Sequence, residues 1–321
     1  MSYKTASALL GVLALGTAVN AVAAELPTIR YGQGLYGAGI GQLALTIGEQ
    51  KGFFAREGVR VEIVKSAAGQ PRLPSDISSV PNAQFVQNVL NGSDDIAVAA
   101  QNANPIYSLI VKPEIKSFAD LKGKELTLTA PWDNITLTAR ELLAKHGLKP
   151  TDYTFKSIGG TEGRMACLKA GQCSAVFVGQ PTDIDAIKLG FHRLGYSYET
   201  GSYVFNVEVV SRAWAQKNKD TLVRYLRGDA DAMRYIRDPK NRDDVAKTLA
   251  DLTHEPQDVV NEMMDNIENP KLHPLTKNAE VDMAGFRHVL ALVKKFGLTS
   301  EPLPPAEHFV DLSYAKAAGI R

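Results

Sequence analysis

The sequence predicts an α/β fold of two lobes, and three observations carry that expectation. Short apolar runs alternate with helix-period segments from Thr28 onward, the pattern of largely parallel sheets. The alternation restarts near Lys112, after a first block that ends in the buried run Asp95–Ala100. Once an amino-terminal leader of 24 residues is set aside, 297 of the 321 residues remain, enough for two ordinary domains.

Thr28–Gly32 reads as a first strand, followed by a glycine-rich turn from Gly32 to Gly41. The next segment is helical, with Leu43, Ala44 and Ile47 on one face and Phe53–Phe54 at its end. Gly58 breaks the chain, and Val59–Val64 alternates as a half-buried strand does. Ser66–Val80, with Pro71 and Pro74, reads as irregular, and its part from Gln70 to Val80 as a lid over a cleft. A helix over Asn82–Leu90 ends at Asn91–Gly92, before the Asp95–Ala100 strand. Beyond Lys112, Ser117 caps a short helical turn. Strands are expected at Glu125–Thr129, Tyr153–Ser157 and Ser174–Val178, helices at Trp132–Lys145 and Arg164–Lys169, and a connector at His192–Leu194. From Trp214 the chain turns helical, with an apolar face of Leu222, Val223, Leu226, Ala230, Met233 and Ile236. Further helices are expected near Val245–Leu252, Asp258–Glu268, Val281–Phe296 and Phe309–Ala318.

Residues 1–24 read as a signal peptide: Lys4, an apolar run from Ala6 to Val19, then small residues that permit cleavage after Ala23 or Ala24. The run is shorter than the roughly 20 strongly apolar residues of a membrane span. No cysteine adjoins the cleavage point to carry a lipid anchor. Removing the leader takes away one base, Lys4, from 36, leaving 35 basic against 35 acidic residues. That balance offers no footprint for nucleic acid or an anionic membrane. Cys167 and Cys173 are the only cysteines; in an oxidising compartment they are expected to form a disulfide, with buried reduced thiols as the alternative.

Three stretches carry a family resemblance. Gly52–Val61 (GFFAREGVRV) resembles the GFFAKEGLDVE segment of the nitrate/taurine/alkanesulfonate class of ABC-importer solute-binding proteins. Ile115–Lys124 (IKSFADLKGK) resembles that class's IKSLADLKGK, and Arg164–Ala175 its ALKAGQVDAA, in the same order and spacing. The likeness runs over essentially the whole mature chain. It implies a type II periplasmic binding fold, with a ligand cleft between two lobes that close by hinge motion. Lobe 1 is then expected over 25–111 plus 207–321 and lobe 2 over 112–206, with crossings near Val111–Lys116 and Tyr203–Val209. The resemblance further implies a periplasmic monomer without lipid anchor, without metal or other cofactor, that serves an ABC permease and ATPase.

Ligands of doubly wound sheets gather at the carboxyl ends of strands and the helix starts that follow. That rule selects Gln33, Tyr36, Ser66, Gln101 and Asn102 in the first lobe, and Trp132, Asn134, Thr136, Gly160, Thr161 and Gln180 in the second. Tyr203 and Asn206 join them from the return crossing. Trp132 offers a ring to stack on a planar ligand, or else packs a lobe; Tyr36 offers an aromatic wall with a hydroxyl, or else a surface loop. Gln101 and Asn102 supply amides that donate and accept. Gly159–Thr161 leaves backbone N–H groups open to an anion, and Arg164 reads as helix surface or an inter-lobe ion pair rather than a ligand contact. The aromatic and amide character of the loops favours a small, planar organic molecule over a bare inorganic ion, and the resemblance implies an aromatic carboxylate, a sulfonate or a pyrimidine.

The six histidines are scattered without metal-ligand spacing, and neither a Gly-x-Ser-x-Gly elbow nor a phosphate loop is present. A binder is therefore expected, not an enzyme. The alternatives are a cofactor-biosynthesis enzyme on the same fold, of which the thiamine-pyrimidine synthases carry a cysteine-rich motif that this chain lacks, and a binding protein that feeds a sensor.

Overall fold

The computed structural model describes residues 26–33, 40–65, 73–104 and 106–320. Strand β1, Thr28–Gln33, buries Ile29 and Tyr31 and exposes Thr28 and Arg30, the alternation of a pleated strand with one face inward. Helix α1, Ile40–Gln50, and the short α2, Phe53–Arg56, lie on that inward face. Strands β2, Arg60–Lys65, and β3, Ile77–Pro81, helix α3, Asn82–Leu90, and strand β4, Asp95–Ala99, complete the first pass.

The chain then crosses. β5, Tyr107–Val111, β6, Glu125–Leu128, α4, Asn134–Lys145, β7, Thr154–Ser157, α5, Thr161–Lys169, β8, Ala175–Gly179, α6, Thr182–Lys188, and β9, His192–Tyr196, build the second lobe. β10, Asn206–Ser211, returns to the first. After it come α7, Arg212–Lys217, α8, Lys219–Arg237, α9, Arg242–Thr253, α10, Gln257–Glu268, α11, Met283–Lys295, α12, Ala306–Phe309, and α13, Ser313–Ala317.

Each lobe holds one five-stranded sheet, in the orders β2-β1-β3-β10-β4 and β7-β6-β8-β5-β9. The two share one plan. Parallel strands come from the lobe's own βα units, and a single antiparallel strand arrives from the other lobe: β10 between β3 and β4, β5 between β8 and β9. Because the crossing chain leaves β4 at its carboxyl end and enters β5, whose Tyr107 pairs with Gly179 at the carboxyl end of β8, both sheets turn their carboxyl edges toward the crossings. This is the two-lobed type II periplasmic binding architecture, with its cleft between those edges.

Phe54, fully buried, shows how the first lobe is packed. Its ring stacks on Tyr225 of α8 at 5.4 Å between centroids. A Cβ on Gly48 of α1 would stand 2.3 Å from that ring, and one on Gly228 of α8 would stand 2.6 Å from it. Two helices approach the aromatic from either side because both carry glycine there. The aromatic pair Phe53–Phe54 is thus core, as its pattern predicts.

Four expectations are corrected. The outgoing crossing precedes Tyr107 instead of lying near Val111–Lys116, because the apolar run Tyr107–Val111 pairs with β8 and β9 in the second sheet. In the proposed lid Gln70–Val80, residues 70–72 lie outside the described residues, and Ile77–Val80 belongs to β3, paired on both sides. His192–Leu194 is no connector but part of the edge strand β9. The disulfide is not formed. Cys167 and Cys173 are free thiols buried among Met165, Leu168, Val176 and Val178, where they act as small apolar side chains. Burial, with the hydrogen bond of its S–H to Cys167, pushes the Cys173 thiol up to about 12.

Beneath the carboxyl edge of the first sheet lies a fully enclosed acid pair. Glu208 Oε1 accepts from Tyr31 OH at 2.9 Å and Tyr225 OH at 3.0 Å, while Asp229 Oδ1 accepts from Gln101 Nε2 at 2.7 Å. Glu208 Oε2 and Asp229 Oδ2 have no partner among the described residues. Burial raises Glu208 to about 7, and burial together with repulsion from Glu208 raises Asp229 well above the usual carboxylate range. The folded state holds protons here that the unfolded chain has released, so this contribution is present at low pH and lost as pH rises through about 7. Across pH 4.5–7, urea unfolding is expected to show Glu208→Gln gaining on the wild type by up to about 1.4 kcal/mol per pH unit. A difference independent of pH contradicts this reading.

The lobes are tied beside the crossings. Asn134, fully buried at the start of α4, accepts from Ala83 N–H of α3 at 2.8 Å and donates to the Phe205 carbonyl. His288 of α11 places Nδ1 2.8 Å from the Ser202 carbonyl and Nε2 3.0 Å from Glu141 Oε1 of α4. Both ring nitrogens face acceptors, an arrangement that the imidazolium form satisfies in full. The Glu141 hydrogen bond raises its pKa, against burial and Lys295. A raised histidine contributes below about pH 6.5 and loses that contribution as pH rises. Denaturation between pH 6 and 9 is expected to show Glu141→Gln losing less stability than the wild type, by under about 1 kcal/mol for a partly solvated pair. An equal loss in both proteins would sink the assignment.

Candidate functional site

The first lobe's edge of the cleft is built from strand ends on one sheet face. Gln33 closes β1, Asn206 opens β10, and Ser79 of β3 lies between these strands. Asn206 Nδ2 donates to Ser79 Oγ at 3.3 Å, while Asn206 Oδ1 and Gln33 Oε1 are enclosed without a partner among the described residues. Two residues further along β10 stands Glu208, so the acid pair continues this polar face inward. Gln101 belongs to the same cluster, but its amide is turned inward to Asp229. Asn102 serves the crossing, with its carbonyl accepting from Phe205 N–H at 3.1 Å and its backbone bridged to Leu275.

The second lobe's edge is different. Gln180, just beyond β8, has both its amide oxygen and its amide nitrogen enclosed and unpartnered among the described residues. Beside it lies Tyr107, whose ring approaches Gly179 so closely that a Cβ there would stand 3.1 Å away. Tyr107 stacks on Phe177 at 5.9 Å and leans on Phe205 at 5.4 Å, and burial pushes its hydroxyl up to about 12. Trp132 is half-buried and packs against apolar clusters of Val204, Phe286 and Val289, so it sits on the seam between lobes. Gly160, with φ 74°, turns the chain into α5 and is exposed.

Charged groups at this edge are engaged within the protein. Arg164 is 1% exposed, not on the helix surface as its position suggests. It donates from Nε to the Phe177 carbonyl at 2.9 Å, from Nη1 to the Ile158 carbonyl and from Nη2 to Thr161 Oγ1. Thr161 thereby holds the arginine. Asp183 Oδ2 accepts from Ser108 Oγ at 2.6 Å and Arg193 Nη2 at 3.1 Å, and its burial raises its pKa. Asp133 caps α4 by accepting from Ile135 N–H at 2.8 Å.

The structure therefore separates the sequence-selected residues. Gln33, Gln180 and Asn206 bring unpartnered amide atoms to the two carboxyl edges. Asn134 and Tyr203 belong to the crossing region: Asn134 ties Ala83 to Phe205, and Tyr203, 1% exposed, donates its N–H to Asn104 Oδ1 at 2.9 Å. Thr136 is buried against Thr129, hydroxyl to hydroxyl at 3.1 Å. Tyr36 and Ser66 lie outside the described residues. Tyr107 and Ser79 were not selected from the sequence, although the apolar run that Tyr107 opens was a signal for a strand.

Comparison with known proteins agrees with this architecture. The periplasmic aliphatic sulphonate binding protein SsuA from Escherichia coli superimposes with a TM-score of 0.70 at 17% identity, over 88% of this chain and 97% of that one. The periplasmic nitrate-binding protein NrtA from Synechocystis PCC 6803 gives 0.72 at 15% identity, over 92% and 89%. A curated relative from Haemophilus influenzae, named "Putative thiamine biosynthesis protein", is 33% identical over 93 residues, 26% of this chain and 29% of the relative's length. The family model described as NMT1/THI5 like matches residues 42–241, a span that takes in strands of both sheets, and the chain belongs to that family.

Proposed function

We propose that this chain is the periplasmic solute-binding subunit of an ABC importer, a monomer that captures a small planar organic molecule between its lobes and delivers it to a permease with its ATPase. The observation that carries the reading is the pair of carboxyl edges, Gln33 and Asn206 on one and Gln180 on the other, with amide atoms enclosed and unpartnered. Buried polar atoms without partners cost free energy, and a ligand that satisfies atoms of both lobes stabilises the closed arrangement by that difference. The fold likeness to sulphonate- and nitrate-binding proteins supports the same reading. Residues 1–24 would direct export.

Native mass spectrometry of the protein lacking residues 1–24 is the direct test, followed by thermal-shift screening of aromatic acids, sulfonates and pyrimidines. A co-purified small molecule is expected, or a rise of roughly 5 °C with one class at a hundredfold excess over Kd. Catalysis is the second reading, favoured by the short match to the thiamine-biosynthesis relative. Turnover of a bound compound, followed by mass spectrometry over hours, would replace the binder with the enzyme.

A further inference from the structure

The chemistry of the unpartnered atoms narrows what the cleft takes. Gln180 has neither its oxygen nor its nitrogen satisfied. A group that meets both must donate and accept side by side. A carboxylate, sulfonate or nitrate only accepts: it would serve Nε2 and set an oxygen against Oε1. On the opposite edge, Gln33 Oε1 and Asn206 Oδ1 are both acceptors in need of N–H or O–H donors. Two guanidinium groups beside the Gln180 edge are already engaged, Arg164 by two carbonyls and Thr161, Arg193 by Asp183, Ser108 and Tyr196.

We propose that the site takes an uncharged planar ligand with a ureido or lactam edge, its adjacent N–H and C=O pairing with Gln180 and further N–H groups reaching Gln33 and Asn206. Tyr107, packed on Phe177 and Phe205, and the half-buried Trp132 stand beside these edges. This deepens the binding function proposed above and rests on it. Selectivity follows from the same atoms. A site built to hydrogen-bond N–H donors rejects an analogue lacking them far more strongly than an apolar pocket rejects a change of size.

Isothermal titration of the protein lacking residues 1–24 tests this, with uracil and hydantoin as ureido probes and benzoate, methanesulfonate and nitrate as anions. Uracil or hydantoin is expected to bind more tightly than every anion. Gln180→Glu, which keeps the shape but replaces the donor by an acceptor, is expected to weaken that binding roughly 10- to 100-fold. Gln180→Met, neutral and similar in length, is expected to lose the preference while its unliganded melting temperature stays near that of the wild type. Tighter binding of any anion, or ureido affinity unchanged in both folded variants, overturns the ligand class and leaves the binding function standing. If no probe binds and native mass spectrometry finds no small molecule, the binding function itself falls, and the ligand class with it.

Discussion

Two segments crossing side by side, hydrogen-bonded to each other and to both lobes, are the constraint on which the rest of this structure depends. Phe205 N–H donates to the Asn102 carbonyl and Tyr203 N–H to Asn104 Oδ1, which joins the outgoing strand to the returning one. Asn82 donates to the carbonyls of Phe205, through its N–H, and Val204, through Nδ2. Asn134 then closes the arrangement from the second lobe. Every one of these groups is backbone or an uncharged amide, so the connection is short-ranged and directional, and salt hardly screens it. It fixes which strand edges face each other.

The first lobe is stabilised by unequal means on either side of its sheet. On the α1 and α8 side, aromatic rings are packed against glycines and the sheet, and this same side houses Glu208 and Asp229 without a balancing cation. Two buried carboxyls facing one another are tolerable only with protons retained, which makes the lobe's interior more secure in acid than in base. On the other side, Phe85, Phe286 and Phe309 form an edge-on aromatic cluster with no ionisable member. The polar face thus runs from the acid pair to the strand ends at Gln33 and Asn206.

Charge pairs between the lobes contribute in proportion to their burial. Lys188 and Asp258 join α6 to α10 at 2.7 Å, but both are half exposed or more and add little. The His288–Glu141 pair is better shielded and is held by the Ser202 carbonyl, so its geometry depends on the crossing itself.

The sequence by itself determined the elements and the kind of fold. The 3.6-residue period of Leu222 to Ile236 became α8, the helix expected over Asn82–Leu90 spans those residues in the structure, and the apolar alternation around Ile29 and Val61 became paired parallel strands. Those signals are local, because a side chain's face is set by helix or strand geometry within a few residues. The rule that ligands meet strand ends selected Gln33 and Gln180 as candidates, and the return crossing added Asn206. Tertiary structure alone decided that Tyr107–Val111 joins the second sheet and Ile77–Pro81 the first. It also decided that the cysteines stay apart as thiols. It separated one amide from another: Asn134 is consumed by a helix 51 residues away, Gln101 by Asp229, while Gln180 is left unpartnered. Whether a polar atom is satisfied depends on what distant segment is packed against it, and no local pattern records that.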